Sequence, residues 1–250
     1  MRKHSRPVRI ANALVWTGSS VVVASIVAAL VSGPGYQAGL WDLSAGFTIL
    51  RWSVYAAASG AIIALAGCGV AGIQRRFITS SVGLAAALLA LTLIMPSRDL
   101  EKTAAQVPHI HDITTDTDNP PQFVALLPVR KTTPNGPEYG GEAIAREQRA
   151  SYPDIQPVIL DEPPARAFER ALKAARTMGW DIVDAAQSDG RIEATATTRW
   201  FRFKDDIVIR IAAQGSGSRI DVRSKSRLGR SDLGANAKRI RAYVRTLLST

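Results

Sequence analysis

Three long stretches of the chain carry no charged residue, and this absence constrains the fold more than any other feature of the sequence. They run from Ile10 to Trp41, from Trp52 to Gln74 and from Phe77 to Ser97. Each holds about twenty apolar residues, the number that a helix rising about 1.5 Å per residue needs to cross a hydrocarbon core. The sequence therefore predicts three transmembrane helices, near residues 11–31, 52–73 and 77–95.

The formal net charge of +10 is distributed over two unlike halves. Residues 1–96 contain seven Lys or Arg and one acid, net +6, and residues 97–250 contain 24 Lys or Arg and 20 acids, net +4. The composition of the first part therefore predicts a membrane domain, residues 1–96, whose charged residues lie between the apolar stretches and at the N-terminus. The second part has the charge balance of an ordinary soluble sequence.

The basic residues that flank the apolar stretches predict the orientation of the chain, because Lys and Arg near membrane ends tend to stay in the cytoplasm. One side carries six: Arg2, Lys3, Arg6, Arg9, Arg75 and Arg76. The other side carries three: Arg51, Arg98 and Lys102. We expect a multi-pass protein of a bacterial inner (cytoplasmic) membrane, with its N-terminus in the cytoplasm and residues 98–250 in the periplasm.

The second apolar stretch has a small residue at every fourth position. These residues are Ala56, Gly60, Ala64, Cys68 and Gly72. Small side chains let the backbones of two membrane helices approach closely. Besides the lipid bilayer itself, the expected partner of this stripe is another of the three helices or the same stretch in a second copy of the chain.

The soluble half divides into two parts. Residues 97–160 contain eight prolines and predict an extended Pro-rich arm with one short helix near 141–150. Residues 161–250 predict an α+β domain in the order helix, four-stranded antiparallel meander, helix, with both helices on one sheet face. The first helix starts at Pro163 and ends at Gly179, the strands lie near 180–187, 191–203, 206–213 and 219–226, and the last helix covers about 233–248.

Several motifs in this half resemble one bacterial family. They include Phe203-Lys204-Asp205-Asp206, the run from Arg223 to Gly229 and the run from Ser231 to Asn236 followed by Arg239. Two upstream segments, 110–116 and 152–155, fit the same pattern. Together, over about residues 109–248, they are similar to the domain of unknown function 1499 (DUF1499) family in its membrane-anchored form. The resemblance implies a bacterial membrane-anchored protein and supplies no activity or catalytic residue.

A basic stretch runs from Ser224 to Arg241 and holds six Lys or Arg against one acid. We exclude nucleic acid as its partner, because no nucleic-acid motif is present and the expected topology places it outside the cell interior. One hypothesis is a pocket for an anionic lipid headgroup or metabolite, formed by Arg223, Arg227, Arg230, Asn236 and Arg239 where the last helix begins. The alternative is that these arginines neutralise Asp205, Asp206 and Asp232 and hold the strand to the helix.

Two further function classes stay open at this point. A membrane-bound hydrolase could use Asp205 with Asp206, or Ser224 with Ser226, although the histidines His4, His109 and His111 lie far from these serines in the sequence. We therefore assign no catalytic residue. A structural partner in membrane assembly, acting through the second apolar helix, is the other class.

The string HIHDITTDTD, residues 109–118, contains residue types that bind metals. It has neither the spacing of a calcium loop nor two histidines four residues apart on a helix. Asn119 and the two prolines that follow favour an extended or turn conformation in which Asp and Thr side chains bond to nearby backbone amides. We predict no metal site and no cofactor.

Overall fold

The structure is a computed structural model that describes residues 6–249, so Arg2 and Lys3 of the basic N-terminal group lie outside the described residues. The chain separates into two compact units, Met1–Thr103 and Ala104–Thr250. This division differs from the expected boundaries, because it falls seven residues after position 96 and the chain is not divided again near position 160.

The first unit consists of long apolar helices: α1 (Arg6–Gln37), α2 (Leu43–Ile73) and α3 (Phe77–Gln106). Each is long and apolar enough to cross a membrane, with mean hydropathy between 1.9 and 2.2. All three exceed the predicted bounds, and α3 differs most because it continues through the polar residues Ser97–Gln106. Asp42 caps α2 and accepts a hydrogen bond of 2.7 Å from the Ala45 amide.

Helices α1 and α2 pack through small residues. A methyl group at Gly18 of α1 would lie 2.4 Å from the Ala64 nitrogen and 2.6 Å from the Gly60 carbonyl oxygen of α2. Gly83 of α3 similarly approaches the Ala64 carbonyl and Cys68. The predicted stripe on the second helix is therefore used inside the chain at Gly60, Ala64 and Cys68, which is one of the two alternatives that the sequence left open.

This close approach predicts that Gly18→Ala destabilises the helical unit by about 1–3 kcal/mol, the usual cost of overpacking, because backbone atoms of α2 cannot move aside cheaply. Gly69→Ala is the matched control, since nothing lies within 4 Å of a methyl group there. Calorimetry of the detergent-purified chain checks the comparison. Equal melting temperatures for the two variants would contradict the packing described here.

The second unit contains a six-stranded antiparallel sheet. Its strands are β1 (Asp112–Thr114), β2 (Val158–Leu160), β3 (Asp181–Ala186), β4 (Arg191–Thr197), β5 (Lys204–Gln214) and β6 (Gly217–Ser226). The predicted meander corresponds to β3–β6, in the order β6-β5-β4-β3. The predicted number of four strands was wrong, because β1 and β2 pair with successive halves of the outer edge of β6. Both are three residues long, too short to show a period in the sequence.

One face of the sheet is covered by α6 (Pro164–Thr177) and α7 (Ala235–Ser249), in agreement with the expected layout. The core between this sheet face and the two helices is apolar and includes Ile207 and Ile209 of β5, which are fully buried. Tyr243 of α7 stacks on Trp180 with ring centroids 5.2 Å apart. Its hydroxyl donates a hydrogen bond of 3.1 Å to the Ala171 carbonyl of α6, which ties the two helices together.

The other face is covered by part of the segment that the sequence predicted as an extended arm. Residues 97–160 contain the end of α3, both short strands, α4 (Leu127–Arg130) and α5 (Gly141–Ser151). Phe123 and Leu126 pack against Val208 of β5. Glu193 of β4 is fully buried and accepts hydrogen bonds of 2.8–2.9 Å from the amides of residues 124–126. The arm is therefore part of the domain.

Candidate functional site

The residues of the predicted anion pocket lie at one end of the sheet, where β5 begins and β6 ends. Asp205 and Asp206 pair in register with Ser226 and Lys225, and the chain then continues through Arg227 toward α7. Neighbouring residues of each strand point to opposite sheet faces. The two aspartates therefore belong to separate hydrogen-bond networks, one on each face.

Asp206 is the centre of the network on the arm-covered face. Its carboxylate lies 2.8 Å from Nη1 of Arg130 and 2.8 Å from Nη2 of Arg227, and accepts a hydrogen bond of 2.8 Å from Thr195. The Arg130 and Asp206 side chains are fully buried. Burial lowers the pKa of Arg130, and the charge of Asp206 acts against that shift. Arg130 also donates to carbonyl oxygens of residues 135, 136 and 225, so nearly all of its donors are used.

Asp112 forms a second pair on the same face. Arg223 approaches it with two parallel hydrogen bonds of 2.9 and 2.8 Å and lies between the rings of Phe123 and Tyr139. Lys225 lies 3.2 Å from the same carboxylate, and burial lowers the pKa of this lysine while Asp112 opposes the shift. Desolvation also raises the pKa of the Tyr139 hydroxyl to about 12.

The network on the helix-covered face joins β6 to α7. Asn236 is fully buried, accepts a hydrogen bond of 2.6 Å from Ser224 and donates bonds of 3.0 Å to Ser226 and to the His111 carbonyl. Arg239 donates to Ser224 at 3.0 Å and to Asp205 at 2.5 Å. Asn236 thus bonds both serine hydroxyls and Arg239 bonds that of Ser224, an arrangement that holds the strand to the helix.

Asp232 caps the start of α7. Its two carboxylate oxygens accept the amides of Gly234 and Asn236 at 2.8 and 2.7 Å. Burial raises the pKa of this carboxyl group, and the two amide bonds act in the opposite direction. The helix begins at Ala235, later than predicted, because Leu233 and Gly234 adopt left-handed backbone conformations with φ of 54° and 77°.

Of the five residues predicted to bind an anion, only Arg230 has an exposed side chain. Arg223 and Asn236 are fully buried, and Arg227 and Arg239 contact the two carboxylates of the adjoining turn. The structure instead brings Arg202 and Lys204 to this end of the sheet, where both are exposed. Within residues 6–249, the side chains of Arg202, Lys204 and Arg230 take part in no salt bridge that includes Asp205 or Asp206. We call these three residues the basic end.

The histidine and aspartate string is divided among several contacts. Asp116 accepts the amides of Asp118 and Asn119, which confirms the turn contacts predicted from the sequence, and also pairs with Arg210 and Arg219 at 2.9 and 2.8 Å. In the part of the chain that the structure describes, no three His, Cys, Asp or Glu side chains form a group that could hold a metal ion.

Sequence reasoning missed three residues that build this site: Asp112, Phe123 and Arg130. One signal could have indicated them. Arg223 and Lys225 alternate with serines on β6, so both cations point to the face away from the helices. Cations that are buried on a sheet face require acidic partners and further residues that exclude water. The Pro-rich segment was the part of this half to which no position on the sheet had been given, so it was the source to expect for both.

A family model described as "Protein of unknown function (DUF1499)" matches residues 112–247. The chain belongs to the DUF1499 family. The match begins at the first residue of β1 and ends within α7, so the DUF1499 region includes the whole sheet, the covering arm and both packed helices. Its membrane-anchored form remains an inference from the three apolar helices.

No curated protein matches the DUF1499 chain. Among solved structures, it is similar to TTHA0849 from Thermus thermophilus, with 12% identity and a TM-score of 0.23, covering 37% of this chain and 89% of that one. It is also similar to Ara h 8.0201, with 14% identity and a TM-score of 0.22, covering 38% and 96%. At these TM-scores neither likeness bears on function.

The buried pairs predict a large difference between two Asp→Asn substitutions. Asp206→Asn leaves two arginines without their carboxylate in a buried site and should lower the free energy of unfolding by about 3–5 kcal/mol. Asp154→Asn removes an exposed pair with Arg241, in which the carboxylate side chain is 53% exposed, and should cost less than about 1 kcal/mol. Thermal unfolding of the detergent-purified chain measures both. Similar losses would show that the Asp206 network does not hold the DUF1499 domain together.

Proposed function

We propose that this DUF1499 protein is a bacterial inner-membrane protein whose periplasmic domain binds an anionic ligand at the basic end of its sheet. The observation that carries the proposal is the contrast between the exposed cations and the acids beside them. Arg202, Lys204 and Arg230 are exposed, whereas Asp205 and Asp206 are 5% and 0% exposed and already paired. An anion approaching this end therefore meets positive charge that no exposed acid of the same turn cancels.

The residue types at the basic end favour phosphate or carboxylate groups. A guanidinium presents planar, forked donors that match two oxygens of such a group, and a lysine adds a compact charge. Arg227 and Arg239, which are 17% and 12% exposed, add positive potential behind the exposed cations while remaining bound to their aspartates. A phosphorylated lipid headgroup and a phosphorylated metabolite share the chemistry that this surface would recognise.

The periplasmic location rests on the distribution of basic residues around the three apolar helices, six on one side and three on the other. A reporter that is active only in the periplasm, fused after Thr250, should therefore be active in cells. The matched control is the same reporter fused after Arg76, in the turn between α2 and α3, where we expect no activity. Activity after Arg76 and none after Thr250 would invert the orientation and remove the periplasmic function.

Ligand binding is tested with inorganic pyrophosphate, titrated calorimetrically into the detergent-purified full chain. The double variant Arg202→Ala, Arg230→Ala should bind at least tenfold more weakly, because each substitution removes an exposed forked donor. Arg166→Ala is the matched control. Arg166 is exposed in the first turn of α6, at the opposite end of the sheet. Glu162, four residues earlier, accepts a hydrogen bond on its carbonyl from Ser218 at the start of β6. Absence of pyrophosphate binding by the unmodified chain, or equal loss in the control, would contradict the proposal.

A further inference from the structure

The loop between β4 and β5 combines cationic and aromatic residues. Its sequence, residues 198–204, is Thr-Arg-Trp-Phe-Arg-Phe-Lys, with three cations, three aromatic rings and no acid. The Trp200 side chain is 43% exposed, whereas Phe201 is only 6% exposed and stacks on Phe203 with ring centroids 5.6 Å apart. The loop therefore exposes the ring of Trp200 and buries the neighbouring ring of Phe201.

This loop is held in one conformation by hydrogen bonds at its base. The Thr198 amide donates to the Phe203 carbonyl at 2.9 Å, and the Phe203 amide donates to the Thr198 hydroxyl at 2.9 Å. Arg202 completes the turn with a φ of 55°, in the left-handed region. Because these bonds order the loop backbone, binding of a partner to Trp200 costs less conformational entropy for ordering the loop.

The end of β6 extends the same surface. The Arg227 amide donates a hydrogen bond of 3.0 Å to the Lys204 carbonyl, so the residues after β6 run beside the loop. Leu228 and Arg230 follow and are both exposed, with Leu228 at 36%. This end of the sheet thus exposes two apolar side chains, Trp200 and Leu228, in the same two segments that carry the cations of the basic end.

The connection from the third apolar helix enters the domain at this same end. The Pro108 and Ile110 carbonyls accept hydrogen bonds from the Ser231 hydroxyl and the Asp232 amide, at 3.4 and 3.2 Å. The His111 carbonyl accepts one of 3.0 Å from the Ser226 amide. Helix α3 ends at Gln106, just before this connection. The residues that directly follow α3 in the sequence therefore contact this end of the sheet.

We propose that the β4–β5 loop, together with Leu228 and the basic end, docks on the anionic phospholipid surface of the membrane that anchors the chain. The inference rests on the proposed function, because it names a lipid headgroup layer as the anion bound there. Tryptophan favours the headgroup region, where its ring is buried and its N–H stays hydrated. Lys and Arg are attracted to anionic lipids, each strengthening attachment about fivefold. Exposed Trp and Leu side chains together with cations are complementary to a layer that is both anionic and partly apolar. An apolar groove of a protein partner would leave the cations without counter-charges.

The test uses the full chain in lipid nanodiscs that contain phosphatidylcholine alone or with about 30% phosphatidylglycerol, each with a headgroup spin label that quenches nearby tryptophans. The difference between the unmodified chain and Trp200→Phe isolates the fluorescence of Trp200. We expect this component to be quenched at least twofold more in the anionic nanodiscs, and the difference to shrink in about 1 M salt because charges on the surface are then screened.

Two charge-reversal variants make the test specific. Arg202→Glu with Lys204→Glu should abolish the additional quenching, whereas Arg166→Glu at the opposite end of the sheet should leave it unchanged. Equal quenching in both lipid compositions, or loss in the Arg166→Glu control, would overturn the docking inference. Pyrophosphate binding in detergent that persists without quenching in nanodiscs would overturn only this inference and leave the proposed anion site standing, with a soluble phosphorylated ligand as its occupant.

Discussion

The fold of the DUF1499 domain depends on the burial of the Asp206 carboxylate between Arg130 and Arg227. These residues come from β5, α4 and the end of β6, so one carboxylate joins the sheet to the segment that covers it. Removing such charges from water costs several kcal/mol per ion, and only complete hydrogen bonding offsets that cost. Most of this requirement is met at both pairs, because Arg130 and Arg223 each donate to backbone carbonyls as well as to their aspartates, and among residues 6–249 the Nε of Arg130 is the buried donor left without a partner at the Asp206 pair. These ion pairs contribute little net free energy compared with an apolar contact of the same size. They fix the position of the covering segment on the sheet, because each arginine is satisfied only when it meets its own carboxylate.

Because several basic side chains are paired with buried carboxylates, only the remaining ones are available to bind a ligand. Six basic residues between Ser224 and Arg241 suggest one continuous basic surface when the sequence is read alone. In the structure, Lys225, Arg227, Arg239 and Arg241 each have a carboxylate partner. Of the six, Arg230 and Lys238 are exposed and form none of the salt bridges found among residues 6–249, and a different segment, the loop before β5, adds the exposed Arg202 and Lys204. A count of basic residues along the sequence therefore overestimates how many of them in this stretch can bind an anion, and it misses those in the loop before β5.

The sequence predicted the elements that carry a clear period or composition. The three apolar helices, the β3–β6 meander and the two amphipathic helices on one face all have such a signal, and all are present. What could not be predicted was the partner of each cation. Asp112 and Arg223 are 111 residues apart in the sequence, and Asp112 and Arg130 lie in a Pro-rich segment whose short elements have no period. Lys225 lies opposite Asp206 in the strand register, yet its ammonium group contacts Asp112, because Asp206 is occupied by two arginines.

The coverage of both sheet faces limits where the DUF1499 domain can bind anything. Helices α6 and α7 fill one face with an apolar core, and the residues around Phe123 close the other, so the available places are the ends and edges of the sheet. A polar cleft of about 270 Å³ lies at the β6 edge, between the end of β1 and the start of β2. Its arginines, Arg149 and Arg219, already contact acids within or beside the cleft, at distances of 2.6–3.4 Å. A ligand there would have to displace existing ion pairs, whereas a ligand at the basic end would meet cations that the fold does not use. This difference in cost supports the proposed anion site at the basic end over a site in the cleft.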